Sequence, residues 1–165
     1  MDQSASFDVQ IAAMLPRLRR FAHSLSRNRD DADDLAQSTV ERALRSRSQW
    51  QRGTRLDSWM FKIMRNQWID GLRSRTRKER FEAPPEAAER VAAEPEGGLE
   101  ASVELHRAMD AMERLPEEQR EIVALILVEG FGYQETADML GLPMGTVASR
   151  LARGRTTLLE LMGAR

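Results

Sequence analysis

Apolar residues recur at steps of three and four positions along three stretches in the first half of the chain. These stretches span residues 11–25, 32–44 and 56–72. The spacing is that of one buried helical face, so it predicts three amphipathic helices that pack together. We place Pro16 in the first turn of a helix, where its missing N–H costs little. The second helix is expected to begin at Asp30 or Asp31, whose carboxylate can accept hydrogen bonds from unpaired backbone N–H groups.

The last third of the chain predicts a second set of helices. An amphipathic stretch from Ala101 to Leu115 is followed by an Ile- and Leu-rich helix over about 118–128. The apolar face of the first of these helices is predicted to contain Val103, Leu105, Ala108, Met109 and Met112.

A small residue, a glycine and a β-branched residue then follow at a characteristic spacing. Ala137 suits the crossing of two helices, Gly141 suits a turn with positive φ, and Val147 would point back into the core. This spacing describes a helix-turn-helix, whose second helix we expect to start near 143–146 and to continue through Arg155.

Between the two sets of helices lies an acidic stretch rich in proline and glycine, residues 81–98. It has few hydrophobic anchors and cannot bury enough surface to offset its ordering entropy, so it is predicted to be a flexible linker. The fold class is therefore expected to be all-α, with two small helical domains at 1–80 and 99–165. The second domain contains the helix-turn-helix.

Charge divides the chain in the same places. Residues 1–80 carry 17 basic and 10 acidic side chains, whereas residues 81–100 carry one basic and six acidic side chains. Residues 101–165 carry seven basic and ten acidic side chains, and the whole chain has a net charge of −1. A basic first domain joined to an acidic linker indicates two modules with different partners.

Several classes of function find no support in the sequence. Cysteine is absent, and there is no glycine-rich phosphate loop and no hydrolase or zinc-protease motif, so we expect no enzyme, no metal and no cofactor. A calcium loop from Asp30 fails because Ala32 and Leu35 occupy ligand and glycine positions. No apolar run approaches the roughly 18 residues of a membrane span, and the N-terminus lacks the pattern of a secretory signal. We therefore expect a cytoplasmic location and no membrane insertion.

Aromatic and basic residues alternate along the third predicted helix. Aromatic faces can stack on an unpaired base, basic groups neutralise phosphates, and an asparagine amide can pair with a base edge. The candidate set is Trp59, Phe61, Lys62, Arg65, Asn66, Trp68, Arg73, Arg75 and Arg77. The alternative is that the tryptophans belong to the core and the arginines form a solvated helix end.

The second helix of the helix-turn-helix offers polar and basic side chains to a major groove. The candidate residues are Thr146, Ser149, Arg150, Arg153 and Arg155. The alternative is a purely structural helical hairpin.

Three motifs occur together and in order: DADDLAQSTVERAL (31–44), LDSWMFKIMRNQWIDGLRSR (56–75) and LPEEQREIVALILVEGFGYQETADMLGLPMGTVASRLARGR (115–155). With the acidic linker between them, the chain resembles the bacterial extracytoplasmic-function (ECF) sigma factors over nearly its whole length. These small two-domain proteins are the promoter-specificity subunits of RNA polymerase. The resemblance implies that the chain binds core polymerase, recognises the minus-ten and minus-thirty-five promoter elements and promotes DNA melting.

The resemblance also assigns roles to residues. The surface expected to dock on the coiled coil of the polymerase β′ subunit comprises Asp31, Asp34, Leu35, Gln37 and Arg42. The minus-ten segment comprises Trp59, Lys62, Arg65, Asn66, Arg73, Arg75 and Arg77, with Asn66 at a pocket for a base flipped out of the duplex.

In the family the helix-turn-helix reads the minus-thirty-five element and docks on the β flap, while the linker threads near the RNA exit path. An anti-sigma factor is implied as a further partner. Ala148 departs from the family, where this position is often basic.

Two other functions stay open on the residues alone. One is a sigma-mimic that sequesters an anti-sigma factor; such a protein should lose base-reading residues, whereas Asn66 and Trp59 are present here. The other is a stand-alone helix-turn-helix regulator, which would need dimer symmetry and more basic charge.

Overall fold

A computed structural model describes residues 3–79 and 99–163, and every regular element in these ranges is helical. The predicted all-α class is therefore confirmed. Contacts divide the chain into two compact units, Met1–Val91 and Ala92–Arg165. The predicted linker, residues 81–98, lies outside the described residues. Each helix in the described ranges is too short or too polar to span a membrane.

The first unit contains three long helices. They are α1 (Gln3–Ser26), α2 (Arg29–Arg45) and α3 (Leu56–Glu79), with a short 3-10 turn at Arg47–Gln49. Both α2 and α3 pack against α1 and against each other.

Pro16 lies in the middle of α1, and its predicted place in a first turn is wrong. An interior proline removes one backbone hydrogen bond and costs about 3 kcal/mol. Here it sits on the exposed side of the helix, whereas Ile11, Leu18 and Phe21 on the other side are at most 4% exposed. Burial of this continuous apolar face holds α1 together across the proline.

The N-terminus of α2 is capped by Asn28, not by the predicted Asp30 or Asp31. The Asn28 side-chain oxygen accepts hydrogen bonds from the backbone N–H groups of Asp30 at 2.9 Å and Asp31 at 3.1 Å. The two aspartates instead occupy the first turn. Their negative charge interacts favourably there with the partial positive charge of the helix N-terminus.

The buried side of α3 faces α1. The rings of Phe61 and Phe21 pack at a centroid distance of 4.9 Å, and the Arg17 guanidinium lies 5.4 Å from the centre of the Phe61 ring. Met60 and Met64 on the same side of α3 are fully buried. Tight packing of these large side chains fixes which face of α3 is exposed.

Asp57 joins the start of α3 to α1. It accepts hydrogen bonds from Arg17 at 3.1 Å, from Arg55 at 2.8 Å and from the backbone N–H of Ser58 at 2.8 Å. Burial raises the pKa of this carboxyl, but the hydrogen bonds from Arg55, Ser58 and Arg17 outweigh burial and leave the pKa below its ordinary value.

The second unit contains α4 (Leu99–Arg114), α5 (Glu117–Val123), α6 (Tyr133–Leu140) and α7 (Met144–Leu161). The helix predicted over 118–128 changes from α to π geometry at Ala124–Val128, where the Glu129 N–H donates to the Ala124 carbonyl at 2.9 Å. The predicted apolar face of α4 is partly wrong, since Val103 and Leu105 are about half exposed, at 50% and 47%.

The predicted helix-turn-helix is present. Gly141 ends α6 in the left-handed conformation, with φ of 64°, which only glycine adopts at little cost. Ala137 is 4% exposed and Val147 is fully buried, as the spacing indicated.

A glycine in α7 lets this helix approach α5 closely. A Cβ at Gly154 would lie 2.8 Å from Cγ2 of Val123 and 3.4 Å from Cβ of Gln119. The crossing of α5 and α7 therefore depends on the absence of a side chain at this position, and it sets the orientation of the recognition helix.

Gly154→Ala is expected to lower the stability of the second unit by about 1–3 kcal/mol, because the new methyl group overlaps the stiff, buried Val123. Gly145→Ala is the matched control, since no atom lies within 4 Å of its added Cβ. Thermal unfolding followed by circular dichroism checks both variants. An unchanged or higher melting temperature for Gly154→Ala would contradict the close crossing.

Asp57→Asn is expected to cost about 1–2 kcal/mol at neutral pH, because it removes the negative charge that Arg17 and Arg55 stabilise. A lowered folded-state pKa makes this stabilisation present above the ordinary value of 3.8 and lost as the pH falls below it. Urea unfolding at neutral and acidic pH should show the two proteins converging in acid. A difference that persists undiminished once the carboxyl is protonated would show that the charge is not responsible.

Candidate nucleic-acid interface

Five of the predicted DNA-binding residues share one face of α3. Trp59, Lys62, Asn66, Arg73 and Arg77 follow one another at steps of three, four, seven and four residues, which places them on a single side of a helix. This side lies opposite the buried residues Met60, Phe61 and Met64. Lys62, Asn66, Arg73 and Arg77 are exposed, and Trp59 is half-buried at the start of the row. We call these five residues the α3 stripe.

A shallow surface depression of ≈ 510 Å³ borders the C-terminal part of the α3 stripe. Its lining combines apolar and basic side chains, namely Ile69, Leu72, Arg73, Thr76 and Arg77. A flat apolar surface flanked by guanidinium groups can accept an unstacked base and its phosphates, because stacking needs an apolar face and the phosphates need positive charge.

Arg75 and Arg65 are not part of the α3 stripe. The Arg75 guanidinium lies 5.8 Å from the centre of the Trp68 ring and 3.7 Å from a carboxylate oxygen of Asp31 on α2. The indole N–H of Trp68 is buried without a hydrogen-bond partner, and the residue as a whole is half-buried. Arg65 is half-buried beside the stripe.

The residues of the predicted docking set differ in exposure. Asp34, Gln37 and Arg42 are exposed on α2, and Asp31 is half-buried beside Arg75. Leu35 is only 9% exposed, so it contributes to the packing of α2 more than to its outer surface.

A polar bridge connects α2 to α3 beneath these surfaces. The buried Thr39 hydroxyl donates to the Leu35 carbonyl at 2.8 Å, and the Gln67 side-chain oxygen is a second acceptor 3.2 Å from the same hydroxyl. The Gln67 amide donates to the Ser38 carbonyl at 3.4 Å. These bonds fix the register of α2 against α3 next to Asn66, and the amphipathic pattern did not identify them because Gln67 reads as a surface residue.

The recognition helix α7 presents a mixed set of candidates. Ser149 and Arg153 are exposed opposite the buried Val147, Leu151 and Gly154, and Arg155 is exposed at the flank. Thr146 is half-buried in the first turn. Ala148 is exposed, so the position that is often basic in the resembled family does reach the surface.

Arg150 points toward α5 and not toward the middle of the exposed face. Its guanidinium lies 3.7 Å from a carboxylate oxygen of Glu118, and its side chain is 24% exposed. The sequence pattern did not single out Glu118, because two acids after a proline also suit an ordinary helix start.

Family models match both units. The model described as the sigma2 domain of PhyR matches residues 11–65, and the model described as sigma-70, region 4 matches residues 105–158. The first match covers all of α2 and the first ten residues of α3, and the second covers α5, α6 and all but the last three residues of α7. Fold and surfaces together therefore define a sigma factor.

Relatives and solved structures identify the family. The chain is 39% identical over 152 residues to the ECF RNA polymerase sigma factor EcfG of Rhodopseudomonas palustris, covering 92% of this chain and 82% of the relative. It is 37% identical over 166 residues to the ECF sigma factor SigE of Mycolicibacterium smegmatis, covering 98% of this chain and 64% of that relative. The chain belongs to the ECF RNA polymerase sigma factors, which act in transcription initiation and are not enzymes.

A solved structure has the same fold over nearly the whole chain. It is the co-crystal structure of the sigma factor RpoE with the anti-sigma factor NepR from Bartonella quintana, at a TM-score of 0.83 and 32% identity. The match covers 96% of this chain and 97% of that one.

Proposed function

We propose that the first unit attaches the chain to core polymerase and opens the minus-ten element, while the second unit reads the minus-thirty-five element. The observation that carries this proposal is the α3 stripe. It brings one aromatic residue, one amide and three basic side chains onto a single helix face, whose C-terminal part borders the shallow depression. Each component of a single-strand binding surface is present there.

Melting requires that a base leave the stack and be held outside it. Unstacking one base costs a few kcal/mol, and stacking on a protein surface returns about 1–3 kcal/mol per base. Asn66 can then donate to and accept from the base edge, while Lys62, Arg73 and Arg77 bind phosphates on either side. The free energy for opening comes from these contacts, and no cofactor is needed.

Polymerase docking falls to the outer surface of α2. Asp34 and Gln37 are exposed there, and the acidic character of this surface suits a basic partner, for which we propose the coiled coil of the β′ subunit. Arg42 lies further along the helix. Leu35 supports this surface from below.

In the second unit we propose that α7 enters the major groove with Ser149 and Arg153 toward the bases and Thr146 and Arg155 toward the backbone. Ala148 removes a side chain that could reach DNA, so fewer contacts define the upstream element. The same unit is proposed to dock on the β flap.

We also propose a cytoplasmic location and regulation by an anti-sigma factor. Support for the partner comes from the complex of the similar Bartonella quintana sigma factor with NepR. A net charge of −1 fits a subunit that depends on polymerase for much of its DNA affinity.

Asn66→Ala is expected to leave core binding unchanged and to reduce open-complex formation, since each lost base-edge contact costs about 1–3 kcal/mol. Permanganate footprinting of a promoter that the wild-type holoenzyme opens measures this effect. Ser74→Ala, an exposed position of α3 outside the stripe, is the matched control. Equal thymine reactivity for Asn66→Ala and wild type would refute the base-holding role.

Asp34→Arg is expected to weaken core binding about tenfold or more, because a basic partner would then meet a like charge. Asp33→Arg, with the same charge change, is the control, because Asp33 faces Arg19 of α1 at 3.9 Å. Leu35 is left intact, since truncating a buried leucine costs about 2–5 kcal/mol and would confuse docking with folding. Titration of labelled core polymerase measures the affinity of each variant. An equal loss of affinity in both variants would show that Asp34 is not part of the docking surface.

A further inference from the structure

Two arginines assigned to DNA contacts carry the same kind of intramolecular partner. In the first unit, Arg75 of α3 lies 3.7 Å from a carboxylate oxygen of Asp31 on α2. In the second unit, Arg150 of α7 lies 3.7 Å from a carboxylate oxygen of Glu118 on α5. The units belong to different domain families, so the repetition is not a consequence of shared ancestry within the chain.

The two carboxylates also occupy equivalent positions in their helices. Asp31 lies in the first turn of α2, and Glu118 lies in the first turn of α5. The N-terminal end of a helix carries partial positive charge and attracts a negative side chain. Each acid therefore has a favourable place in its helix next to its arginine.

We propose that Asp31 and Glu118 mask Arg75 and Arg150 in the chain without DNA, and so lower its own affinity for nucleic acid. The proposal rests on the DNA contacts that the sequence predicts for these two arginines, which lie outside the α3 stripe and beside the exposed face of α7. A phosphate that binds the edge of the guanidinium facing the carboxylate must displace that carboxylate first. The free energy of each ion pair is thus subtracted from the free energy of DNA binding.

The exposure of the pairs bounds the size of the effect. Side-chain exposure is 55% for Arg75 and 37% for Asp31, and 24% for Arg150 and 70% for Glu118. Partly exposed pairs of this kind are weak, so removing one carboxylate should raise DNA affinity about two- to fivefold at low salt. The gain should shrink as salt screens the pair.

The position of Asp31 also connects masking to polymerase binding. Asp31 lies on α2, the helix proposed to dock on polymerase. A basic side chain of polymerase that paired with Asp31 would release Arg75 for a phosphate. Docking would then strengthen DNA binding by the free energy of the Asp31–Arg75 ion pair. This free energy would couple polymerase binding to DNA binding.

The test measures DNA binding by the full chain without polymerase. Asp31→Asn is compared with Asp33→Asn, which makes the same charge change on the same helix but faces Arg19 on α1. Glu118→Gln is compared with Glu117→Gln in the same turn of α5. Fluorescence anisotropy uses a labelled mixed-sequence single strand for the first pair and a labelled mixed-sequence duplex for the second. Circular dichroism melting verifies that every variant is folded.

Masking predicts that Asp31→Asn and Glu118→Gln bind DNA about two- to fivefold more tightly than their controls. The gain must also depend on the arginine. Asp31→Asn should therefore add nothing to a chain that already carries Arg75→Gln, and Glu118→Gln should add nothing to one with Arg150→Gln.

Two results separate the failure of masking from the failure of the proposed DNA roles. If Arg75→Gln and Arg150→Gln weaken DNA binding but the acid variants match their controls, masking is wrong and the DNA roles stand. If the arginine variants leave DNA binding unchanged, the DNA roles of Arg75 and Arg150 are wrong, and masking falls with them. If DNA affinity still rises in a chain that lacks the arginine, the effect is due to net charge and masking is wrong.

Discussion

Phe61 packs its ring against Phe21 at a centroid distance of 4.9 Å, and this contact sets the rotation of α3 about its own axis. With Met60 and Met64 fully buried on the same side, the opposite side must face outward. That opposite side carries the α3 stripe, which consists of Trp59, Lys62, Asn66, Arg73 and Arg77. The proposed DNA-binding surface of the first unit is therefore a consequence of core packing, and a helix rotated by one residue would bury part of it.

In the second unit, a small residue determines which face of α7 is exposed. Gly154 brings α7 against Val123 of α5, so the buried side of α7 is fixed and Ser149 and Arg153 face away from it. In both units most of the proposed DNA-binding side chains are exposed. In the first unit their placement depends on Asp57, Thr39 and Gln67, which form hydrogen bonds between helices.

Periodicity predicted the helices and the turn well, because Gly141 and Val147 satisfy strong local requirements. It misplaced Pro16, since the long apolar face of α1 outweighs a local breaker, and it missed Asn28, because either neighbouring aspartate could serve as a cap. The periodicity of apolar residues could not predict which side chains contact a neighbouring helix. Arg75 and Arg150 read as exposed basic residues, and only the fold shows that each faces a carboxylate.

The most direct test of the account is run-off transcription with the purified chain and core polymerase on fragmented genomic DNA from the source organism, each component alone serving as control. If the two units form a promoter-specificity subunit, discrete transcripts should appear only when both components are present. Their start sites should lie downstream of two shared sequence elements. The absence of transcripts, with tight binding to core polymerase or to an anti-sigma factor, would contradict the proposal that these surfaces open promoter DNA.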